Sequence, residues 1–466
     1  MQELHTLQNL GNVHLMGIAG VGVSAVARLM LARGLKVSGT DAKELPVLTD
    51  LREAGARICV GYDAANLGDA DTVVISSIIK EGNPEYDEAV ARGLRILHRS
   101  QGLAATMEGH RVITVAGTHG KTTTTSLIAF MLRDAGLSPT FAVGANIASL
   151  GVNAEYGQGG LFVAEADESD ASFLNYSPDV AVITNIEADH LDHYGSVEAV
   201  HQAFYDFASL LPESGLLICC ADDPGSQALA VRMRSERPDL RVQTYGFSEQ
   251  ADLRLANAHP RGQRFACDLH WGSAEAAELE LALPGNHNLL NAAAGFSVGL
   301  DCGMDPAAAV AGLGAFSGAA RRFDFRGEAA GVRVYDDYAH HPTEVLAALR
   351  AARAVAGEGA VHVLFQPHLF SRTQEFHREF AAALSLADSA HVLEIYAARE
   401  SPIPGVTSEL VTSELDTAGG PVSMAEAAVV LAATAKAGDV IMTIGAGDVT
   451  EQGSAILAAL EERLVR

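Results

Sequence analysis

Val112-Ile113-Thr114-Val115-Ala116-Gly117-Thr118-His119-Gly120-Lys121-Thr122-Thr123-Thr124-Thr125 passes from a short β-branched run through a glycine loop into a segment with helical apolar spacing, residues 126–135. Strand, glycine turn and helix in that order make a phosphate-binding loop. Glycines let backbone N–H groups converge on phosphate oxygens, and the helix N-terminus adds partial positive charge. On this reading Gly117, Thr118, His119, Gly120 and Thr123 cradle the phosphates of a nucleotide. Lys121 bridges its β- and γ-phosphates, and Thr122 holds magnesium. In the general pattern four residues separate the first glycine from the Gly-Lys pair. Here Val115 holds that first position and Gly117 comes two residues later, a tighter variant. The competing reading is an ordinary strand-to-helix turn that contains Gly-Lys-Thr.

Two further apolar runs end in carboxylates. Residues 161–164 lead into Glu165-Ala166-Asp167-Glu168-Ser169-Asp170, and residues 180–185 lead into Glu187-Ala188-Asp189-His190-Leu191-Asp192. Ligands of open α/β sheets bind outside the carboxyl ends of the strands. Mg²⁺ takes a few protein ligands and completes its shell with water and phosphate oxygens. Glu165 and His190 therefore join Thr122 as metal-ligand candidates. Histidine is an unusual Mg²⁺ ligand, and a structural hydrogen-bonding role is the competing reading for His190.

The same alternation of short β-branched runs with Ala/Leu-rich segments extends along the chain. Strands are expected at 13–16, 36–38 and 72–75, at 112–115, 161–164 and 180–185, and at 361–365, 391–395 and 440–444. Three sets of strands imply three α/β domains, residues 1–108, 109–317 and 318–466. Residues 244–283 alternate polar and apolar side chains, contain Trp271 and predict an antiparallel insert.

Composition narrows the function. The chain has 466 residues, 48% hydrophobic and 19% charged, which describes a globular protein. Its net charge is −26, so broad binding to nucleic acid or an anionic membrane is not expected. No apolar run reaches the ~18 residues needed for membrane insertion, and the N-terminus lacks a signal-peptide layout. Cys59, Cys219, Cys220, Cys267 and Cys302 show no metal-ligand spacing and read as reduced thiols, which points to the cytoplasm.

A second glycine turn, Gly17-Ile18-Ala19-Gly20-Val21-Gly22-Val23-Ser24, follows the first strand, and Asp41 ends the next one. A nicotinamide-dependent oxidoreductase would use such a turn. However, the spacing is Gly-x-x-Gly-x-Gly and the dinucleotide fingerprint fails as written. An anion site for a diphosphate uses the same physics. Ser76, Ser77 and Asn83 follow the third strand and would line the same cleft, or merely cap turns.

Taken together, the phosphate loop, the two acidic runs, the Gly17–Ser24 turn, Gly285-Asn286-His287-Asn288-Leu289-Leu290-Asn291, Arg321-Arg322-Phe323-Asp324, Asp336-Asp337-Tyr338-Ala339-His340-His341-Pro342-Thr343-Glu344, Gln366-Pro367-His368, Ser371-Arg372-Thr373 and Gly445-Ala446-Gly447-Asp448 resemble the Mur ligases over essentially the whole chain. The resemblance implies a Rossmann-like N-terminal domain for a UDP-sugar, a central, mainly parallel sheet of the phosphate-loop ATPase type, and a Rossmann-like C-terminal domain that closes over ATP. It implies ATP, UDP-N-acetylmuramate and L-alanine as substrates, with Mg²⁺ as cofactor, in cytoplasmic peptidoglycan precursor synthesis. Gly17, Gly20, Gly22, Ser24, Asp41, Ser76 and Ser77 then belong to the UDP-sugar site. His287, Asn288, Asn291, Arg322 and Asp337 belong to the nucleotide site. Lys121, His340, His341 and Arg372 become the catalytic candidates, with His340 or His341 as the base that deprotonates the amine.

Two departures qualify the resemblance. Several relatives carry a carbamoylated lysine after the equivalent of His190, yet no lysine lies between Leu191 and Arg237; Leu369 also stands where some members have arginine. A recycling ligase that adds a tripeptide to the same UDP-sugar is the nearest rival. Folylpolyglutamate synthetase and a non-catalytic nucleotide switch are more distant ones. The sequence leaves oligomeric state open.

Overall fold

The computed structural model describes residues 6–261, 264–272, 275–398 and 400–465, without the side chains of Asp192, Leu464 and Val465. The chain packs as two compact units. The first comprises Met1–Asn257, Cys267–Leu279 and Leu290–Phe316; the second comprises Ala258–Ala266, Glu280–Leu289 and Ser317–Arg466.

The first unit opens with five parallel strands, β1 (Val13–Met16), β2 (Val37–Asp41), β3 (Arg57–Val60), β4 (Thr72–Ile75) and β5 (Arg95–His98), in the order β3-β2-β1-β4-β5. The expected strand at 36–38 is therefore longer and begins one residue later. The edge strands β3 and β5 escaped notice because they are half exposed and carry no unbroken apolar run.

The next sheet contains β6 (Arg111–Ala116), β7 (Thr140–Ile147), β8 (Val152–Glu155), β9 (Leu161–Glu165), β10 (Val180–Ile183), β11 (Leu216–Cys220), β12 (Arg241–Gly246), β13 (Leu253–Arg261), β14 (Arg264–Trp271) and β15 (Glu275–Leu281). Their order is β15-β14-β13-β12-β11-β10-β6-β9-β7-β8. β6 pairs in parallel with β10 and β9, which places the ends of all three together. The expected insert is real but enters differently. β13 joins β12 in parallel, and β14 and then β15 follow it to the edge of the sheet. One continuous apolar core, from Leu7 to Leu240, underlies both sheets of this unit.

The second unit carries β16 (Asp324–Ala329), β17 (Val332–Asp337), β18 (Val361–Phe365), β19 (Ser389–Val392), β20 (Ala418–Pro421) and β21 (Val440–Ile444), in the order β16-β17-β21-β18-β19-β20. β16 is antiparallel and the rest are parallel. β19 lies two to three residues earlier than the expected 391–395.

Both outer sheets use the same buried polar device near the N-terminal ends of their strands. His14 on β1 faces its register partner Ser38 on β2, with Nδ1 2.9 Å from the hydroxyl and Nε2 3.1 Å from the Glu85 carboxylate. His362 on β18 faces its register partner Ser389 on β19 at 2.8 Å, with Nε2 3.2 Å from Asp439. Buried histidines of this kind need partners at both ring nitrogens, and each has them. No described helix is long and apolar enough to cross a membrane.

Candidate active site

The phosphate loop leaves β6 and is tied to the end of β10. His119 N donates to Asn185 Oδ1 at 2.7 Å, Asn185 Nδ2 donates back to His119 O at 3.0 Å, and Thr184 Oγ1 donates to the same carbonyl at 2.6 Å. Thr118 Oγ1 accepts from Glu187 N at 2.9 Å. The helix starts at Lys121 and runs to Asp134, five residues earlier than its apolar spacing suggested. Four threonines in a row have low helix propensity, but here all four are buried, and packing overrides propensity. Gly120 sits at φ +81, and a Cβ there would lie 2.7 Å from Asn291 Oδ1. Only glycine accommodates both the left-handed backbone and the close approach. Asn291 thus lies against the loop.

Lys121 Nζ donates to Gly117 O (2.7 Å), to Thr118 O (3.0 Å) and to Glu168 Oε1 (2.8 Å). Burial alone would lower its pKa, but Glu168 and Asp167 outweigh that and hold the ammonium charged. Burial, reinforced by Asp167, pushes Glu168 up to about 7 despite Lys121. Asp167 is half-buried, and Arg99 and Lys121 outweigh its burial to hold it down at about 2. Thr122 Oγ1 donates to Glu165 Oε1 at 3.0 Å, and Gly144 N donates to Glu165 Oε2 at 2.7 Å. His190, at φ +55, places Nε2 3.7 Å from Glu168 Oε1 and 3.6 Å from Asp189 Oδ2.

The acidic loop is anchored from below by Phe173, which is fully buried and stacks on Phe207 at 4.7 Å. Burying such a ring contributes about 2–3 kcal/mol. Hard oxygen donors from Thr122 and Glu165 fit a magnesium ion. So does Glu168 Oε2, which is buried without a hydrogen-bond partner among the described residues.

Around the N-terminal turn, Gly17 N and Ile18 N donate to Thr40 O, and Ala19 N donates to Asp41 Oδ2 at 3.0 Å. Asp41 therefore shapes the turn. Ser24 is buried and its hydroxyl donates to Val21 O, which commits it to the helix Val21–Ala32. Ser76 is half-buried and Ser77 exposed beyond β4, while Asn83 caps the helix Pro84–Ala91.

Within the second unit, His340, His341, Glu344, Arg322 and Arg372 form one cluster. His340 Nδ1 lies 3.2 Å from Tyr338 O and 3.3 Å from Glu344 Oε2. Burial, followed by Arg372, His368 and Arg322, lowers its pKa to about 3 although Glu344 opposes the shift. His341 Nδ1 accepts from Thr343 N and caps the helix Pro342–Ala356 in a capping box with Glu344. Arg322 packs over the Tyr338 ring at 5.1 Å. Asp337 accepts from Phe323 N and Ala339 N, both at 2.8 Å, and burial raises it to about 6. Burial also pushes His287 down to about 4, and Asn288 Nδ2 donates to Pro284 O at 2.7 Å.

Two residues of the first unit were not singled out from sequence. Glu168 stands inside an acidic run that was noted, three residues after Glu165. Arg99 follows β5, a strand whose weak pattern hid its C-terminal end.

A UDP-N-acetylmuramate–L-alanine ligase of Paenarthrobacter aurescens (strain TC1) is 60% identical over 97% of this chain and 98% of its own length. The chain belongs to the Mur ligase family. Family patterns for a "Mur ligase family, catalytic domain", a "Mur ligase middle domain" and a "Mur ligase, glutamate ligase domain" match residues 12–111, 115–299 and 321–447 of this Mur ligase. A UDP-N-acetylmuramate–L-alanine ligase of Arthrobacter sp. (strain FB24) is 58% identical over 98% of this chain and 97% of its own. Among solved structures, the UDP-N-acetylmuramate–alanine ligase of Thermotoga maritima superposes with a TM-score of 0.81 at 28% identity, covering 97% of this chain and 99% of that one. A murein peptide ligase of Psychrobacter arcticus reaches 0.70 at 25% identity, over 97% and 99%.

Proposed function

We propose that this Mur ligase uses ATP to join L-alanine to the carboxylate of UDP-N-acetylmuramate, in cytoplasmic synthesis of peptidoglycan precursors. The observation that carries the reading is the pairing of Lys121 with Glu168 and of Thr122 with Glu165 where β6 and β9 end. In this reading residues 1–108 take the UDP-sugar, residues 109–317 take ATP, and residues 318–466 take the amino acid.

The chemistry follows from the groups. A carboxylate is a poor electrophile because oxide would have to leave. Transfer of the γ-phosphoryl group to one carboxylate oxygen makes an acyl phosphate and releases ADP. The amine nitrogen then attacks the acyl carbon, and the tetrahedral oxyanion collapses to amide and inorganic phosphate. Lys121, charged and fixed by three acceptors, meets the negative charge on the transferring group. Thr122 and Glu165, with His190, would hold Mg²⁺, which supplies Lewis-acid neutralisation of phosphate charge. The amine must arrive unprotonated. A group titrating near 3 is a poor acceptor for an ammonium proton, so His340 serves as a neutral hydrogen-bonding group in this state. His341 accepts at Nδ1 from Thr343 N, so its neutral ring carries the proton on Nε2 and acts there as a hydrogen-bond donor.

The tripeptide-adding reading is weaker, because the tripeptide-adding ligases among the solved structures match at 25% and 30% identity, against 60% for an alanine ligase. Phosphate release with ATP, Mg²⁺ and UDP-N-acetylmuramate tests the choice. It is expected only with L-alanine, with the amide seen by mass spectrometry; release with the tripeptide alone would assign the recycling activity.

A further inference from the structure

Between the first turn of the helix Val21–Ala32 and the strand pair β7–β9 lies a cavity of about 230 Å³. Val21, Ala25, Val26 and Leu103 give it an apolar wall. Glu165 and Asp167 project from the opposite side, and among the described lining residues Arg99 is the cation. The cavity therefore runs from the N-terminal glycine turn to the carboxylate paired with Thr122. It lies on a path from the turn, where the sugar nucleotide of the proposed substrate binds, toward the phosphate loop, where its carboxylate is phosphorylated.

That passage carries an electrostatic problem. An incoming carboxylate meets Glu165 and Asp167, and like charges at this range repel. Arg99 is placed to offset the repulsion. Its Nη2 donates to Asp167 Oδ2 at 2.6 Å, which holds one end of the guanidinium. Nη1 lies against Gly22, where a Cβ would stand 3.3 Å away. The remaining N–H donors make no hydrogen bond to the described residues, and the side chain keeps 23% of its surface exposed. A guanidinium braced on one edge by a carboxylate still presents a fork of donors on another, which is the geometry that recognises a second carboxylate. A purely structural tie is the rival explanation. However, the start of the helix Arg99–Thr106 is already joined to the loop at 170–175 by Asn175 Nδ2 donating to Ser100 Oγ at 2.8 Å and by His98 at 3.6 Å from Asp170.

We infer that Arg99 is a substrate-positioning residue, taking the lactyl carboxylate of the UDP-sugar in the cavity between Gly22 and Glu165. The inference rests on the substrate assigned above. The test compares calorimetric binding of UDP-N-acetylmuramate with that of UDP-N-acetylglucosamine, which lacks the lactyl group, to wild type, Arg99→Lys and Arg99→Met without ATP. Arg99→Met is expected to lose about 10- to 100-fold in affinity for the carboxylate-bearing sugar and little for the other. Arg99→Lys should fall between; Arg99→Met also loses the ion pair with Asp167 and should unfold at a lower temperature, a change that bears on both sugars alike. Equal losses for both sugars, or no loss, would overturn the role of Arg99. Failure of wild type to bind UDP-N-acetylmuramate would instead overturn the substrate assignment.

Discussion

Two glycine turns in this chain share one spacing and differ in what surrounds them. Gly17-Ile18-Ala19-Gly20-Val21 follows β1, and Gly117-Thr118-His119-Gly120-Lys121 follows β6. Each strand sits where the order of its sheet reverses. Each turn opens a helix one residue after its second glycine, and Ser24 N and Thr124 N close the first turns onto Gly20 O and Gly120 O at 2.8 and 2.9 Å. A strand, a glycine turn and a helix start thus recur in the same order, although Gly20 sits at φ −60 and Gly120 at φ +81. Only the second turn places a lysine at the first helical position and gathers Glu165, Asp167 and Glu168 around it. The first has Val21 there and a single shaping carboxylate, Asp41. Under the proposed function, that difference separates holding a phosphate from transferring one.

Substitutions sharpen that contrast. Lys121→Ala should lower phosphate release about 10³-fold with the fold retained, because the charge it neutralises develops in the transition state. Val21→Ala at the twin position should fall short of that by orders of magnitude; comparable losses would erase the distinction.

The support beneath the first turn is predicted to be the next largest effect. Glu85→Ala leaves His14 buried without its carboxylate and should cost about 3 kcal/mol in denaturant unfolding. Burial opposes ionisation of Glu85, but His14 and Asn66 outweigh it and hold the carboxyl below 4.5. Its contribution is therefore complete above pH 4.5 and lost as pH falls through the lowered value. The acid limb of unfolding should flatten in Glu85→Gln, and an unchanged limb would show that other groups set it.

The glycines themselves give the smaller pair. Gly120→Ala must adopt φ +81 and meet Asn291, at a cost of about 1–2 kcal/mol or more. Gly20→Ala keeps φ −60 but sets a Cβ 3.3 Å from Gly17 O and weakens the N-cap, and should cost about 1 kcal/mol or less. Equal costs would mean that the turns are alike in strain as well as in spacing.

Much of this was legible in the sequence because the signals are local. A glycine turn between a β-branched run and a helix states its geometry in a dozen residues, and the acidic runs after β9 and β10 state theirs. What escaped was set by tertiary neighbours. The helix begins at Lys121 because buried surroundings favour Thr122–Thr125 against their propensity. Glu168 differs from other acids of its run only in facing Lys121, and Arg99 matters only where the fold carries the end of β5 to Asp167. His341 was read for its chemistry, yet its ring also holds a helix end.

His14 and His362 have a spectroscopic consequence. An imidazole N–H shared with a carboxylate in a solvent-free site exchanges slowly with water. Each outer sheet should therefore give its own downfield proton resonance, one shared with Glu85 and the other with Asp439. Those two signals would report, without any label, whether a substitution or a bound nucleotide loosens one sheet while leaving the other intact.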